Sequence, residues 1–426
     1  MSVAEVVVTG IGVVSPIGHT TDTIINNLRE QRHNFKRLPR YADFKRSKVV
    51  VGTDIPNFET HSRLCEDWTC PYPTSFSKDE LRSLNPHTYY AYQATRKALK
   101  EADLSTKELG EETGLFTASP GSISNIYSSL TELHEYGVSR SNPYGIVNSV
   151  VGTLSWNLSA LFKIKGSNCG FASACASSSH ALGFAYDQIA LGRQDRIIVT
   201  GAEDGDVLGV LPFGVMRALS TSDDPDSASL PFDSRRSGFV GCGGATTLVL
   251  ESASAAAQRG ARVLAEFHGW GQSSDGYHPA APIPDGSGLS RAIVGALKSS
   301  GFSTDSIEYL NAHATGTQIG DLAEVRAIKC VFGESPKFPV SSTKALTGHG
   351  LSYAGILELG LCIKALSKGF IPGTANLLEP DPQSEGLNLP KDNLESGARR
   401  FLSNSSGVGG ATVCLAMQRP EAHILS

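Results

Sequence analysis

The 426-residue chain has no apolar run that approaches the roughly 20 residues a membrane-spanning helix needs, which excludes an integral membrane protein of helical type. Its apolar start, Glu5-Val6-Val7-Val8-Thr9-Gly10-Ile11-Gly12, is short and broken by glycine, with neither a basic leader nor a cleavage pattern. It reads as a buried strand, and a soluble, cytoplasmic protein is expected. Charge of one sign is also missing: 37 basic against 42 acidic side chains leave a net charge of −5, so nothing global points to nucleic acid or an anionic membrane. The eight cysteines form no paired arrays at metal-ligand spacing, and a chain of this length needs no disulfide staples. Reduced thiols and no metal are expected; Cys65 and Cys70 flank Trp68 closely enough for a bridge, but free thiols are the default there too.

What is present is ordinary for a globular enzyme: 40% hydrophobic and 19% charged residues, with length for two or three domains or one large duplicated one. A local basic stretch (Lys36, Arg37, Arg40, Lys45, Arg46, Lys48) reads as a solvated loop or as a contact for an acidic partner. Strand-like and helix-like patterns alternate, which predicts an α/β fold with covered sheets. Strands are expected over Val6–Thr9, Gly114–Thr117, Ile197–Gly201, Thr246–Leu250 and Thr412–Met417. Helices are expected over Thr88–Ala102, Ser179–Gly192, Gly288–Ser299, Leu322–Phe332 and Ile356–Lys368. Val6–Ser15 and Val263–Ser274 both run from an apolar strand into a Gly-x-Gly turn, an internal echo that suggests two similar halves, 1–255 and 256–426. Neither Gly-x-Gly continues as a dinucleotide fingerprint.

Three segments bring chemistry. Cys175, in Ser173-Ala174-Cys175-Ala176-Ser177-Ser178, precedes a helix-like run, where the macrodipole and unpaired N–H groups favour the thiolate. The plain alternative is a small buried hydrophobe. Asn311-Ala312-His313-Ala314-Thr315-Gly316-Thr317 places an imidazole and hydroxyls on a strand-to-helix turn. Ser342-Thr343-Lys344-Ala345-Leu346-Thr347-Gly348-His349-Gly350 adds an ammonium and a second imidazole. Any one of these alone is more often structural; together they suffice for acyl transfer.

In these segments the chain resembles the β-ketoacyl synthases, of ketosynthase II type. The likeness extends to Thr9-Gly10-Ile11-Gly12, Arg217-Ala218-Leu219-Ser220, Pro231-Phe232-Asp233 with Arg236 and Gly238-Phe239-Val240, and Gly409-Gly410. The resemblance implies a thiolase-like fold: two similar α/β halves packed as five αβαβα layers, in a homodimer or a heterodimer with a related ketosynthase or chain-length factor. It implies that Cys175 takes an acyl chain from acyl carrier protein, whose phosphopantetheine arm is the only prosthetic group needed. His313 and His349 would bind malonyl thioester and stabilise its enolate, with Lys344 and Glu358 orienting them. The N–H of Cys175 and one from the Gly407–Gly410 loop would hold the oxyanion. Thr315 and Thr317 would bind the phosphopantetheine arm, Ser406, Gly407, Val408 and Gly409 would border the acyl chain, and Lys78, Arg82, Arg140 and Arg217 would dock the carrier.

The family's terminal loop reads Asn-Ser-Phe-Gly-Phe-Gly-Gly, whereas Asn404-Ser405-Ser406-Gly407-Val408-Gly409-Gly410 carries no ring. A more permissive acyl entrance is therefore expected, suited to a specialised polyketide or polyene pathway and to flat or aryl-primed chains. Cys242 stands where an acidic residue is usual, Ser178 and Ala314 where glycines are common. Alternatives are a housekeeping fatty-acid elongation enzyme, a non-catalytic chain-length factor, and a thiolase acting on coenzyme A esters. Cys414, mid-strand, reads as core rather than as a thiolase's second cysteine.

Overall fold

The computed structural model describes residues 4–62, 65–72, 74 and 76–421. Ten strands build its main sheet: β1 (Val6–Val14), β2 (Thr113–Ala118), β3 (Asn168–Phe171), β4 (Arg196–Glu203), β5 (Gly244–Ser252), β6 (Ala265–Ser274), β7 (Tyr309–Asn311), β8 (Val340–Ser341), β9 (Arg400–Ser406) and β10 (Ala411–Gln418). They run in the order β3-β2-β4-β5-β1-β6-β10-β9-β7-β8. In the first five, β1 is antiparallel to β5 and β5 to β4, while β4, β2 and β3 are parallel. The second five repeat that pattern: β6 antiparallel to β10, β10 to β9, then β9, β7 and β8 parallel. The two similar halves meet edge to edge where Val6, Val7 and Val8 pair with Phe267, Glu266 and Ala265.

Seven helices place the layers: α1 (Pro86–Glu101), α2 (Ile123–Tyr136), α3 (Thr153–Phe162), α4 (Ser177–Ala190), α5 (Ser287–Ser300), α6 (Gln318–Phe332) and α7 (Ala354–Ser367). α1 and α3 cover the first half, α5 and α6 the second, and α4 and α7 pack on each other and on strands of both halves. That is the five-layered thiolase-like arrangement. α7 is largely hydrophobic and buried from Ala354 to Leu366, with Glu358 and Lys364 as its two charged residues, as a central layer requires.

The expected strands and helices all occur, with boundaries within about five residues of those anticipated. The two Gly-x-Gly pairs, expected as turns, instead lie inside β1 and β6. Their role is close packing: a Cβ on Gly12 would fall 1.9 Å from the Ala94 carbonyl oxygen of α1, and one on Gly271 would fall 2.1 Å from that of Ala292 in α5. The echo therefore marks the same strand–helix contact in each half.

The basic stretch is partly paired within the chain, Lys36 Nζ and Arg40 Nη2 with Asp54 at 3.0 and 2.5 Å and Arg37 Nη2 with Asp223 at 2.8 Å. Cys65 and Cys70 are free thiols. Cys414 is buried core. Among the described residues no helix is long and apolar enough to cross a membrane.

Candidate active site

Cys175 sits on a tight turn between β3 and α4. Ala174, just before it, has φ +51°, a strained conformation for a residue with a side chain, worth about 1–3 kcal/mol. Ser177 at the start of α4 fixes that turn: its Oγ accepts from the Ser173 N–H at 2.8 Å and donates to the Ala174 carbonyl at 2.5 Å. Gly407 passes so close that a Cβ there would meet the Ser173 carbonyl oxygen at 2.7 Å. Ser178 anchors the next layer, its Oγ accepting from the Ile356 N–H of α7 at 3.1 Å.

The loop from Val240 to Cys242 holds His349 through its backbone, the His349 N–H donating to the Val240 carbonyl and the Cys242 N–H to the His349 carbonyl, at 2.7 and 3.0 Å. His349 Nε2 lies 3.0 Å from Cys175 Sγ. The edge of Phe239 meets its ring at 5.0 Å and 88°. His313 approaches from the other half, 5.2 Å from His349 between ring centroids and nearly perpendicular to it at 82°. Behind His313, Glu324 of α6 accepts the His313 and Ala314 N–H groups at 2.9 and 2.7 Å and the Asn404 side-chain amide at 3.0 Å. Lys344 Nζ pairs with Glu358 at 2.5 Å, both side chains no more than 2% exposed. Asn311 steadies that carboxylate from β7 at 3.3 Å.

Burial dominates the electrostatics. It pushes the Cys175 thiol up to about 12, against the pull of Lys344 and the Val408 N–H. The expectation that the helix terminus makes a resting thiolate is thus corrected: the sulfur is enclosed, and desolvation outweighs the dipole. Burial first, then the Lys344 charge, hold His349 well below the ordinary histidine value; the same two causes and His349 itself do so for His313. Both imidazoles are neutral near pH 7. The Nδ1 atoms of both are enclosed, so Nε2 is the nitrogen each can offer a substrate.

A cavity of about 570 Å³ opens onto Cys175, His313 and His349; Thr315, Thr317 and Arg217 also line it. Thr315 Oγ1 and Thr317 Oγ1 stand 3.1 Å apart in its wall. A second, inner cavity of about 190 Å³ lies beyond, and Cys175, Phe213 and Val408 line both. The ring at the junction is therefore Phe213, packed edge-on to Phe239 at 5.6 Å, and not a residue of the 404–410 loop. Ser406, Gly407 and Val408 border the outer cavity; Gly409, with φ +89°, belongs to the turn behind them and does not line it. Within that loop the Gly407 N–H is taken by the Ala411 carbonyl at 2.7 Å, whereas the Val408 N–H donates to Cys175 Sγ. Of the four expected docking residues, Arg217 is at the cavity wall; Lys78, Arg82 and Arg140 are exposed but do not line it. Cys242 sits 3.4 Å from the Tyr353 hydroxyl and does not line either cavity, so it shapes the His349 loop from behind. Among the described residues no group of His, Cys, Asp and Glu is set to hold a metal ion.

Sequence reasoning missed Glu324, Asp321, Asn311 and Phe213. One signal was available: Asp321 and Glu324 are two carboxylates one turn apart on a buried face of α6, and each accepts backbone N–H groups of the His313–Gly316 turn.

Comparison with known proteins identifies the family of this fold. The N-terminal domain of β-ketoacyl synthases matches residues 4–256 and the C-terminal domain matches residues 264–378. The chain is 32% identical over 422 residues to 3-oxoacyl-[acyl-carrier-protein] synthase 2 of Staphylococcus aureus (strain COL), covering 98% of this chain and 99% of that one. A β-ketoacyl synthase crystal structure from Burkholderia phymatum STM815 superposes with a TM-score of 0.90 at 31% identity, covering 98% of this chain and all of that one. The ishigamide ketosynthase/chain length factor gives 0.86 at 29% identity with the same coverage. The chain belongs to the β-ketoacyl synthase family, acyltransferases that form carbon–carbon bonds.

Proposed function

We propose that Cys175 carries the growing acyl chain and that His313 and His349 together activate malonyl-acyl carrier protein, in a decarboxylative Claisen condensation that gives 3-oxoacyl-acyl carrier protein and carbon dioxide. The observation that carries this reading is the convergence of one thiol and two neutral imidazoles on one cavity, with His349 Nε2 at 3.0 Å from the sulfur.

In the first half-reaction Cys175 sulfur attacks the carbonyl of the incoming thioester. A carbon–sulfur bond forms at Cys175, the carrier's thiolate leaves, and the Cys175 proton goes to it. The Val408 N–H beside the sulfur and the N–H of Cys175 are the donors for the oxyanion. In the second, the malonyl thioester carbonyl accepts hydrogen bonds from Nε2–H of His313 and His349. Those donors stabilise the enolate left when the carboxylate departs as carbon dioxide. Its carbon attacks the acyl group, the bond to the Cys175 sulfur breaks, and Cys175 leaves as thiolate and takes a proton from solvent. Neutral imidazoles suit this role, because a donor that stays neutral keeps its hydrogen bond without losing its proton to the enolate. Lys344, locked to Glu358, supplies positive potential close to both rings.

Acyl carrier protein is the partner this chemistry needs: Thr315 and Thr317 face the outer cavity where its phosphopantetheine arm would lie, and exposed Arg217 stands at the wall to meet an acidic carrier. A second subunit, identical or a related ketosynthase or chain-length factor, covers the apolar face of α2 described below. The eight free thiols suit a reducing cytoplasm. The absence of rings at Ser406 and Val408 favours a specialised polyketide or polyene pathway over housekeeping elongation, although Phe213 keeps one ring at the junction. The intact set Cys175, His313, Lys344 and His349 disfavours a purely structural chain-length factor.

The test is incubation with malonyl-acyl carrier protein and a panel of saturated, polyunsaturated and aryl acyl-carrier proteins, followed by intact-mass analysis. Condensation is expected, with unsaturated or aryl chains preferred; efficient extension of saturated chains alone would remove the specialised reading.

A further inference from the structure

The inner cavity has a wall that an acyl-chain tunnel has no need of. Ser119, at the C-terminal end of β2, lines it together with Glu203, Asp204 and Asp206 from the end of β4. Ser119 Oγ lies 3.1 Å from His87 Nε2, and His87 Nδ1 lies 2.7 Å from Asp204 Oδ1. The backbone N–H of His87 donates to the same carboxylate oxygen at 2.8 Å. All of this is enclosed: Ser119 and His87 are 2% and 0% exposed. The chain Ser119–His87–Asp204 has the connectivity of a hydrolase triad, yet the Gly121 N–H already donates to Ser119 Oγ at 3.1 Å, which blunts a nucleophile.

We propose that this relay fixes Ser119 as a hydrogen-bonding post inside the acyl cavity, so that the enzyme selects acyl chains bearing a hydroxyl group over saturated ones.

The proposal rests on the reading that Cys175 holds the acyl chain, because Cys175 lines the same cavity. Each carboxyl of the wall already has donors on one of its oxygens. Glu203 accepts from the Ser352 hydroxyl at 2.7 Å, Asp204 from His87, and Asp206 from the Leu208 N–H at 2.8 Å and the Ser124 hydroxyl. Ser119 is different. With its proton given to His87 Nε2 and one lone pair given to the Gly121 N–H, a second lone pair remains for a ligand. If His87 carries both protons, it donates to Ser119 and the serine hydroxyl hydrogen is released instead. A substrate hydroxyl both donates and accepts, so it fits either state of the relay. A methylene at the same place would leave that second lone pair, or the released hydroxyl hydrogen, without a partner in a desolvated wall, which is how a polar site disfavours an analogue lacking its hydroxyl. Ser124, Ser177 and Ser352 also line the cavity, but their hydroxyls already donate to Asp206, the Ala174 carbonyl and Glu203; Pro120, Ile123, Phe213 and Leu351 are apolar, so the preference is for one oxygen on an otherwise hydrocarbon chain.

The test compares the rate of Cys175 acylation, read by intact mass, with a hydroxyacyl-carrier protein and its saturated counterpart of equal length. The wild-type enzyme is expected to favour the hydroxylated chain roughly tenfold. Ser119→Ala should bring the two rates together chiefly by slowing the hydroxylated chain, and its thermal midpoint should match the wild type within a few degrees. His87→Gln, which keeps a donor and an acceptor but breaks the relay's geometry, should fall between. Equal acylation by both chains, or a preference unchanged in Ser119→Ala, overturns the inference and leaves the condensing activity standing. An acyl ester on Ser119 in Cys175→Ala would overturn it in favour of a nucleophilic serine. No adduct on Cys175 from any chain would instead remove the reading on which it rests.

Discussion

At the scale of single residues the site works by enclosure rather than by resting charge. Cys175 is held as a thiol by its burial, His313 and His349 are held neutral by theirs, and the Lys344–Glu358 ion pair lies beside them. Removing one partner of such a buried pair leaves the other uncompensated, at a cost of about 3–5 kcal/mol; Lys344→Ala should therefore lower the thermal midpoint as well as activity, in a melting experiment. The depressed histidines set a pH signature. The native imidazoles stay neutral as pH falls through the ordinary value of 6.5, so the rate of malonyl decarboxylation should not drop with a midpoint there. An acid limb at 6.5 in that profile would show protonated histidines. Glu203 gives a second signature, in stability. Burial raises its carboxyl from 4.5 to about 8, so the native state binds a proton that the unfolded chain has lost. Its contribution is whole below about 4.5 and is lost as pH rises towards 8. Glu203→Gln, which mimics the protonated acid, should match the wild type in thermal midpoint near pH 4 and exceed it by a growing margin as pH rises to 8.5. The residues of the proposed chemistry were legible in sequence because Cys175, His313, Lys344 and His349 each sit in a short motif of small neighbours. The Ser119–His87–Asp204 relay was not, because its members come from elements far apart along the chain, and Glu324, only ten or eleven residues from the Ala314 and His313 N–H groups it accepts, is told from an ordinary helix carboxylate by its burial.

Elements bring these residues together through close strand–helix approach. Gly12 in β1 and Gly271 in β6 let α1 and α5 lie directly on their strands. Gly12→Ala should destabilise the fold by at least about 2 kcal/mol, measured by denaturant unfolding, since the clash is with backbone and cannot be relieved by a rotamer change. The apolar runs of β1, β4, β5 and β10 and the buried helices α4 and α7 announce themselves by composition and period. α2 does not, although Ile123, Ile126, Tyr127, Leu130 and Leu133 follow a helical spacing. Its serines, threonine and asparagine weaken the helix signal, and its apolar face finds no cover within one chain. The Gly-x-Gly echo was visible as a repeat, but its physical meaning needed the helix that sits above it.

On the scale of the whole molecule, two copies of one strand pattern share a single sheet joined by three residue pairs, and the groups proposed for catalysis come from both. Cys175 belongs to the first copy; His313, Lys344 and His349 belong to the second. One surface is left unfinished. Tyr127, Leu130 and Tyr136 on α2 are 58–61% exposed, Val138 is 85% exposed, and Ile146 and Trp156 extend the patch. Ile123 joins this face to the inner cavity, so a second subunit seated there would also bound the acyl chain. Leu130→Glu is expected to shift the protein towards monomer in sedimentation, and an unchanged assembly would place the interface elsewhere. The division of labour between the two halves is the centre of the account, and one measurement tests it most directly: intact-mass and product analysis of His313→Ala given acyl- and malonyl-acyl carrier proteins. The account predicts that Cys175 still takes the acyl group while 3-oxoacyl product falls by about two to three orders of magnitude. Loss of the acyl adduct itself, or condensation at the wild-type rate, would contradict it.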